Sequence, residues 1–260
     1  MIGLKGCLRI LALALSLNVA SSAMAVVELP DEDLNYVILY KWGIINKEAA
    51  TAVLSLRSDA DNYYAQLAAK TVPWADKVFM VRDTLKSVMM RPSCMPTVYK
   101  KITHEGAQYN YDVVTYLRNG NEVTGDALRE RSRNGGPIVR SDTVLHATGL
   151  TVDMLSVFYY LRTVDFVDMK PGTTMNLNVF SGRNVEQLCV RYCGIEDVNL
   201  NGRRWQTYRL SFTFTMRGKT TSDAMDTWIS TDASRIPVKL EGQLPLGKVH
   251  AFFTGATKVQ

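Results

Sequence analysis

Three histidines are the whole imidazole complement of this 260-residue chain. His104 is followed by Glu105, but Gln108 stands where a zinc-protease helix needs its second His, so that metal chemistry is excluded. His146 falls in an expected loop and His250 on the outward side of the last expected strand, so all three read as loop or surface residues. The chain has no Gly-x-Ser-x-Gly elbow, P-loop or GxGxxG fingerprint. Asp232 and Arg235 flank a turn, where a carboxylate beside a guanidinium either works in catalysis or pins the turn by hydrogen bonds and an ion pair. Asp153 likewise reads as an acid or as a helix cap. In both cases the structural reading explains the residues with fewer assumptions, and no catalytic residue is assigned.

Cysteines and arginines offer less. Cys94, Cys189 and Cys193 are an odd number once Cys7 is set aside, so at least one thiol stays free or pairs between chains. On one extended strand Cys189 and Cys193 would lie ~13 Å apart, whereas a disulfide needs Cα atoms within ~7 Å. Unpaired, partly buried cysteines are therefore expected, and without a CxxC or His pair no metal site is expected. Arg118, Arg129, Arg131, Arg133 and Arg140 form a basic stretch. It is either a solvated strand face or a surface for anionic lipid headgroups or polysaccharide, and clustering at a barrel mouth would separate the two.

The aromatic residues are the remaining handle. Tyr40, Trp42, Phe158, Tyr159, Phe212 and Trp228 are the candidate ligand-binding residues, able to line an apolar cavity or to fill a solid core. No cofactor is implied.

The elements that must position these residues are mostly strands. The cleanest is Tyr208, Leu210, Phe212 and Phe214 alternating with Arg209, Ser211, Thr213 and Thr215. Ile236, Val238 and Leu240 alternate in the same way, followed by Val249, Ala251 and Phe253. Earlier strands are expected at 34–42, 49–57, 63–70, 85–90, 97–103, 108–118 and 122–131, with Asn119-Gly120-Asn121 as a hairpin turn. Two helices interrupt them. A short one lies within 71–81, with Thr71 as cap and Pro73 in its first turn. A three-turn one spans 151–162, with Met154, Val157, Phe158 and Leu161 as a single stripe against a sheet. About a dozen strands without a βαβ rhythm predict a mainly β fold, an antiparallel curved sheet or barrel with two short helices.

Residues 1–25 read as a cleavable secretory signal: Lys5 and Arg9, an apolar run from Ile10 to Leu17, then Ala23-Met24-Ala25. The run is shorter than the ~20 residues a membrane span requires. Residues 26–260 then form one domain, with 28 Lys and Arg against 25 Asp and Glu, a net charge of +3. That surplus is too small to imply nucleic acid, and no later segment is apolar enough to span a bilayer as a helix.

Three blocks occur in order: Leu34 to Ile45, Asp153 to Arg162, and an ending in which Trp228-Ile229-Ser230-Thr231-Asp232, Arg235-Ile236-Pro237-Val238-Lys239-Leu240 and Gly247-Lys248-Val249-His250-Ala251 follow one another. Together they resemble the domain of unknown function 3108 family of bacterial exported proteins. The resemblance implies a periplasmic, barrel-like fold, distantly similar to lipocalins and lipoprotein carriers. It implies no activity and carries over no site. The expectation is a periplasmic, non-enzymatic protein binding an apolar or amphiphilic ligand, such as a lipid, in the cell envelope. The alternative is a structural or protein-interaction module with a filled core and an envelope protein as partner. A hydrolase would need two titratable groups converging in one cleft.

Overall fold

The structure, a computed structural model, describes residues 27–216, 219–243 and 247–258. The expected signal segment 1–25 lies outside them. Period-2 alternation produces strands almost throughout. They are β1 (Glu32–Trp42), β2 (Ile45–Ser58), β3 (Asn62–Thr71), β4 (Val81–Met90), β5 (Met95–Glu105), β6 (Gln108–Asn119), β7 (Glu122–Arg133) and β8 (Val139–Thr148). After these come β9 (Thr151–Val152), β10 (Thr174–Phe180), β11 (Val185–Leu200), β12 (Arg203–Met216), β13 (Lys219–Ser230), β14 (Pro237–Gln243) and β15 (Lys248–Lys258). The helices are α1 (Pro73–Asp76) and α2 (Ser156–Thr163).

The fifteen strands make one sheet, ordered from β8 back to β1, then β15 back to β9. Two meanders are thus joined where the first strand pairs with the last, Ile38 opposite Ala251 and Tyr40 opposite Val249. Only the β9–β10 pair is parallel among the described residues. The sheet curls until its two ends nearly meet. Asn178 on β10 donates from its side chain to the Thr148 carbonyl at 3.0 Å, and from its backbone to that of Leu150 at 2.8 Å. Tyr116 on β6 stacks on Phe180 of β10 with ring centroids 5.3 Å apart. Gly125 makes this closure possible, because a Cβ there would sit 2.5 Å from the Phe180 ring.

Helix α2 lies inside the curl. Leu155, at its start, and Tyr159 pack with Leu34, Leu56, Tyr63 and Met89. Val157 and Leu161, on the other side, pack with Leu177, Val190, Leu210 and Phe212. The expected single stripe is therefore replaced by burial on both flanks, and Met154 is 40 % exposed. The helix also starts later than expected: Thr151 and Val152 pair with β10 instead. Asp153 does act at its start, accepting from the backbone N–H groups of Leu155 (2.7 Å) and Ser156 (2.6 Å). Ser87 of β4 donates to the same carboxyl at 2.6 Å, which fastens the helix to the wall. Deeper in, Arg162 is fully buried, pairs with the Glu32 carboxylate at 2.5 Å and donates to the Ser234 carbonyl at 3.0 Å.

Other local expectations change. Residues 139–148, where His146 was expected in a loop, form strand β8 with His146 exposed on it. In α1, Pro73 opens the helix, but Thr71 does not cap it; its hydroxyl binds Asp76. Val78 is 79 % exposed, so the spacing of Trp74, Val78 and Val81 was not a buried stripe. Cys94, Cys189 and Cys193 are all free, the last beside a bulge between Tyr192 and Gly194.

Candidate functional site

Among the described residues, inward-facing side chains leave a space beside the helix. Between α2 and the wall made by β1–β3, β14 and β15 there is a cavity of about 150 Å³ with no polar lining. Phe158 and Leu155 form its helix side; Ile38, Leu54, Leu67 and Leu240 form much of the wall. The cause is residue size. Ala52, Ala69 and Ala251 occupy inward positions of three strands, so the wall stands back from Phe158. Ile38, Leu67, Phe158, Leu240 and Ala251 are only half-buried, so the cavity communicates with solvent. Its size is that of engineered apolar cavities of ~150 Å³ that stay dry and take up a benzene-sized guest.

The six sequence-nominated aromatics do not converge there. Phe158 lines the cavity, and Phe212 stands behind it at a ring separation of 6.0 Å. Tyr40 is half-buried one step beyond Ile38 along the same face of β1. Trp42, a further step on, is 53 % exposed at the end of the strand. Tyr159 is in the closed core, its hydroxyl donating to the Ser55 carbonyl at 3.1 Å. Trp228 pairs in register with Arg209 and Lys239, whereas Thr227 pairs with Leu240. It therefore faces away from the cavity, its ring covered by the Lys239 ammonium at 4.0 Å and the Arg209 guanidinium at 5.5 Å. The alanines were missed. Their signal was legible, since small residues at inward positions of neighbouring strands leave space that large ones would fill.

The inner surface changes character around the curl. One register row crosses Leu34, Leu54, Leu67 and Leu85, then Lys101, Asp112 and Arg129. Along this row the apolar side gives way to charge between β4 and β5, one strand spacing of ~4.8 Å, whereas the next inward row, Ser87, Tyr99, Val114 and Ala127, stays buried and mostly apolar. Asp112 is buried and accepts from Arg129 at 3.0 Å and from Arg131 at 2.5 Å. Of the basic stretch, these two share one internal carboxylate. Arg118 donates to the Thr151 carbonyl, and Arg140 pairs with Glu130. Three of the five are thus explained by ion pairs within the sheet, and the stretch does not present one free cationic face.

Of the described carboxyls with displaced acidity, three bear on the candidate chemistry. Burial raises Asp153 to about 6, against the hydrogen bonds that favour its charged form. Burial and then the nearby Glu105 charge raise Asp83 to about 6. Asp232 is held below its ordinary value: burial opposes this, but Ser234 and Ser230 donate to it. Its ion-pair partner is Arg203 at 3.6 Å, not the expected Arg235, whose guanidinium lies over the Tyr208 ring at 4.8 Å. Asp153 and Asp232 each serve the turn or helix that carries them. No group of three or more metal-ligating side chains occurs among the described residues, and no helix there is long and apolar enough to cross a membrane.

A nearly closed antiparallel sheet with an internal helix and an apolar hollow defines a β-barrel-like protein. Among solved structures it is similar to the beta-barrel-like protein of domain of unknown function DUF1849 from Brucella abortus. That protein is 10 % identical, with 90 % of this chain and 100 % of that one aligned at a TM-score of 0.60. The likeness shows the fold alone. The chain belongs to the family described as protein of unknown function (DUF3108), whose model matches residues 35–254. A protein with a YmcC-like fold from Bacteroides fragilis aligns over the same shares at 7 % identity and a TM-score of 0.37, too low to carry an argument. No curated protein matches the chain.

Proposed function

We propose that this chain is a non-enzymatic binder or carrier of an apolar or amphiphilic ligand in the bacterial cell envelope, exported to the periplasm by residues 1–25. The observation that carries the reading is the cavity of about 150 Å³ between α2 and the sheet, wholly apolar and reached from solvent. A space that size holds a ring or the end of a chain, so the ligand's remaining length runs outward past Tyr40 and Trp42. The charged row Lys101, Asp112 and Arg129 offers the polar surroundings an amphiphile's other end needs. Titration of residues 26–260 with a neutral naphthylamine dye tests this. One saturable site, displaced by a fatty acid and lost on Leu67→Trp, is expected; dye binding that ignores this substitution refutes it.

A second reading, a protein-interaction module, has one observation in its favour. Strand β8 is a sheet edge, and Val139 and Val144 on it are 67 % and 53 % exposed.

A further inference from the structure

Three loops meet at the end of the sheet towards which the cavity wall of β1 runs. The first is the β1–β2 hairpin, the second α1 with the segment leading to β4, and the third the start of β15. They are joined by contacts. Trp74 of α1 donates its indole N–H to the Glu48 carbonyl at 2.7 Å, and the Lys47 ammonium lies 4.6 Å over its ring. Gly247 packs so closely on the hairpin that a Cβ there would sit 2.3 Å from the Lys41 carbonyl oxygen.

This rim carries Trp42 (53 %), Ile44 (103 %), Val78 (79 %), Phe79 (52 %) and Met80 (37 %) as exposed side chains. Five large apolar residues on two touching loops leave far more apolar surface in water than scattered singles do. Between them stand Lys41, Lys47, Lys77 and Lys248, all exposed and without an ion pair among the described residues. The acids nearby are Glu48, Glu105 and Asp76, and Asp76 is already matched by Arg82 at 2.7 Å. Apolar side chains interleaved with lysines suit an interface where the former enter the headgroup–acyl boundary and the latter meet anionic headgroups. A protein partner would satisfy the apolar residues equally, but the unmatched lysines favour a surface of dense negative charge.

We propose that this rim docks the protein on the surface of an anionic lipid bilayer. Trp42 and Ile44 from one loop and Val78 to Met80 from the other enter the boundary region, and the four lysines lie at the headgroups. Docked so, the cavity opens towards the bilayer: Ile38 on its wall is four residues, ~13 Å, from Trp42 at ~3.3 Å per residue. The docking is independent of whether the cavity takes a ligand.

Co-sedimentation of residues 26–260 with vesicles of phosphatidylcholine plus phosphatidylglycerol, against phosphatidylcholine alone, is the test. Binding is expected to the mixed vesicles, at least about tenfold weaker to the neutral ones and weakened by salt. Ile44→Asp with Phe79→Asp is expected to lower affinity at least about tenfold, whereas Leu117→Asp with Ile195→Asp, exposed elsewhere, leaves it unchanged. Circular dichroism of each variant checks that it folds. Ala251→Ile, which fills the cavity, is expected to bind vesicles like the parent, so a failed ligand reading leaves this one standing. No binding to mixed vesicles, or equal binding by the rim and control variants, overturns the proposal. So does a lipid-free dimer that Ile44→Asp with Phe79→Asp dissociates, since a second copy would then own the rim.

Discussion

Ala251→Ile decides whether the hollow is real. Ala251 lies between Ile38 and Leu240 in register, and all three side chains line the cavity. The substitution adds three carbons and a β-branched side chain to a strand, which the backbone favours. At about 0.8 kcal/mol per buried carbon, three carbons in a fully closed apolar site contribute about 2 kcal/mol. The half-exposure of the lining reduces this to about 1 kcal/mol. For a chain of this size that raises Tm by about 2–4 °C. A packed core would give the opposite sign, because inserting methylenes into filled space costs about 1–3 kcal/mol. Urea denaturation followed by intrinsic fluorescence measures the sign, and dye titration on the same samples measures access. The expected result is a more stable protein that has lost its dye site. Destabilisation beyond about 1 kcal/mol with the dye site intact would show that the cavity is not where the structure puts it.

Arg162→Met is expected to cost about 3–5 kcal/mol in urea, since it leaves the Glu32 carboxylate buried without its partner; Glu32→Met with Arg162→Met should recover most of the loss, and no recovery would mean that the pair is not the cause. Burial raises the folded pKa of Asp153 to about 6, above the ordinary carboxyl value of 3.8, so its contribution is fully present below about pH 4 and is lost as pH rises through about 6. Asp153→Asn keeps an oxygen for the Leu155 and Ser156 N–H groups and should flatten the stability profile between pH 4 and 7 by about 2–3 kcal/mol; an unchanged profile in pH-dependent urea melts would contradict this. The Cys94 thiol is buried and pushed up to about 12, whereas Cys189 and Cys193 are half-buried. A thiol reagent should therefore modify two thiols of folded residues 26–260 quickly and the third only in denaturant.

Much of the fold was legible in local pattern. Alternation along Tyr208 to Phe214 and Ile236 to Leu240, and the Asn-Gly turn at 119–121, are statements about neighbouring residues. The strands formed there for that reason. Strand β8 escaped because its inward face is weakly apolar: Val139, Ser141, Thr143, Leu145 and Ala147 share that face and of them only Leu145 is buried, while Val144 on the other face is exposed. Helix α2 showed its apolar positions, but a stripe on one side and burial on two differ only in what stands opposite. That is set by the curl of the sheet.

Sequence by itself determined that this is a one-sided β chain, with turns that order its hairpins and three blocks that place it in its family. Tertiary structure alone decided where the space is. A void is a difference between the volume enclosed by five strands and a helix and the volume of the side chains they bring together. No single strand contains that quantity. It arises only when Ala52, Ala69 and Ala251, from opposite ends of the chain, are drawn round Phe158. Trp228 makes the same point in reverse: pairing with Arg209 and Lys239 turned a nominated ligand contact to the other face of the sheet.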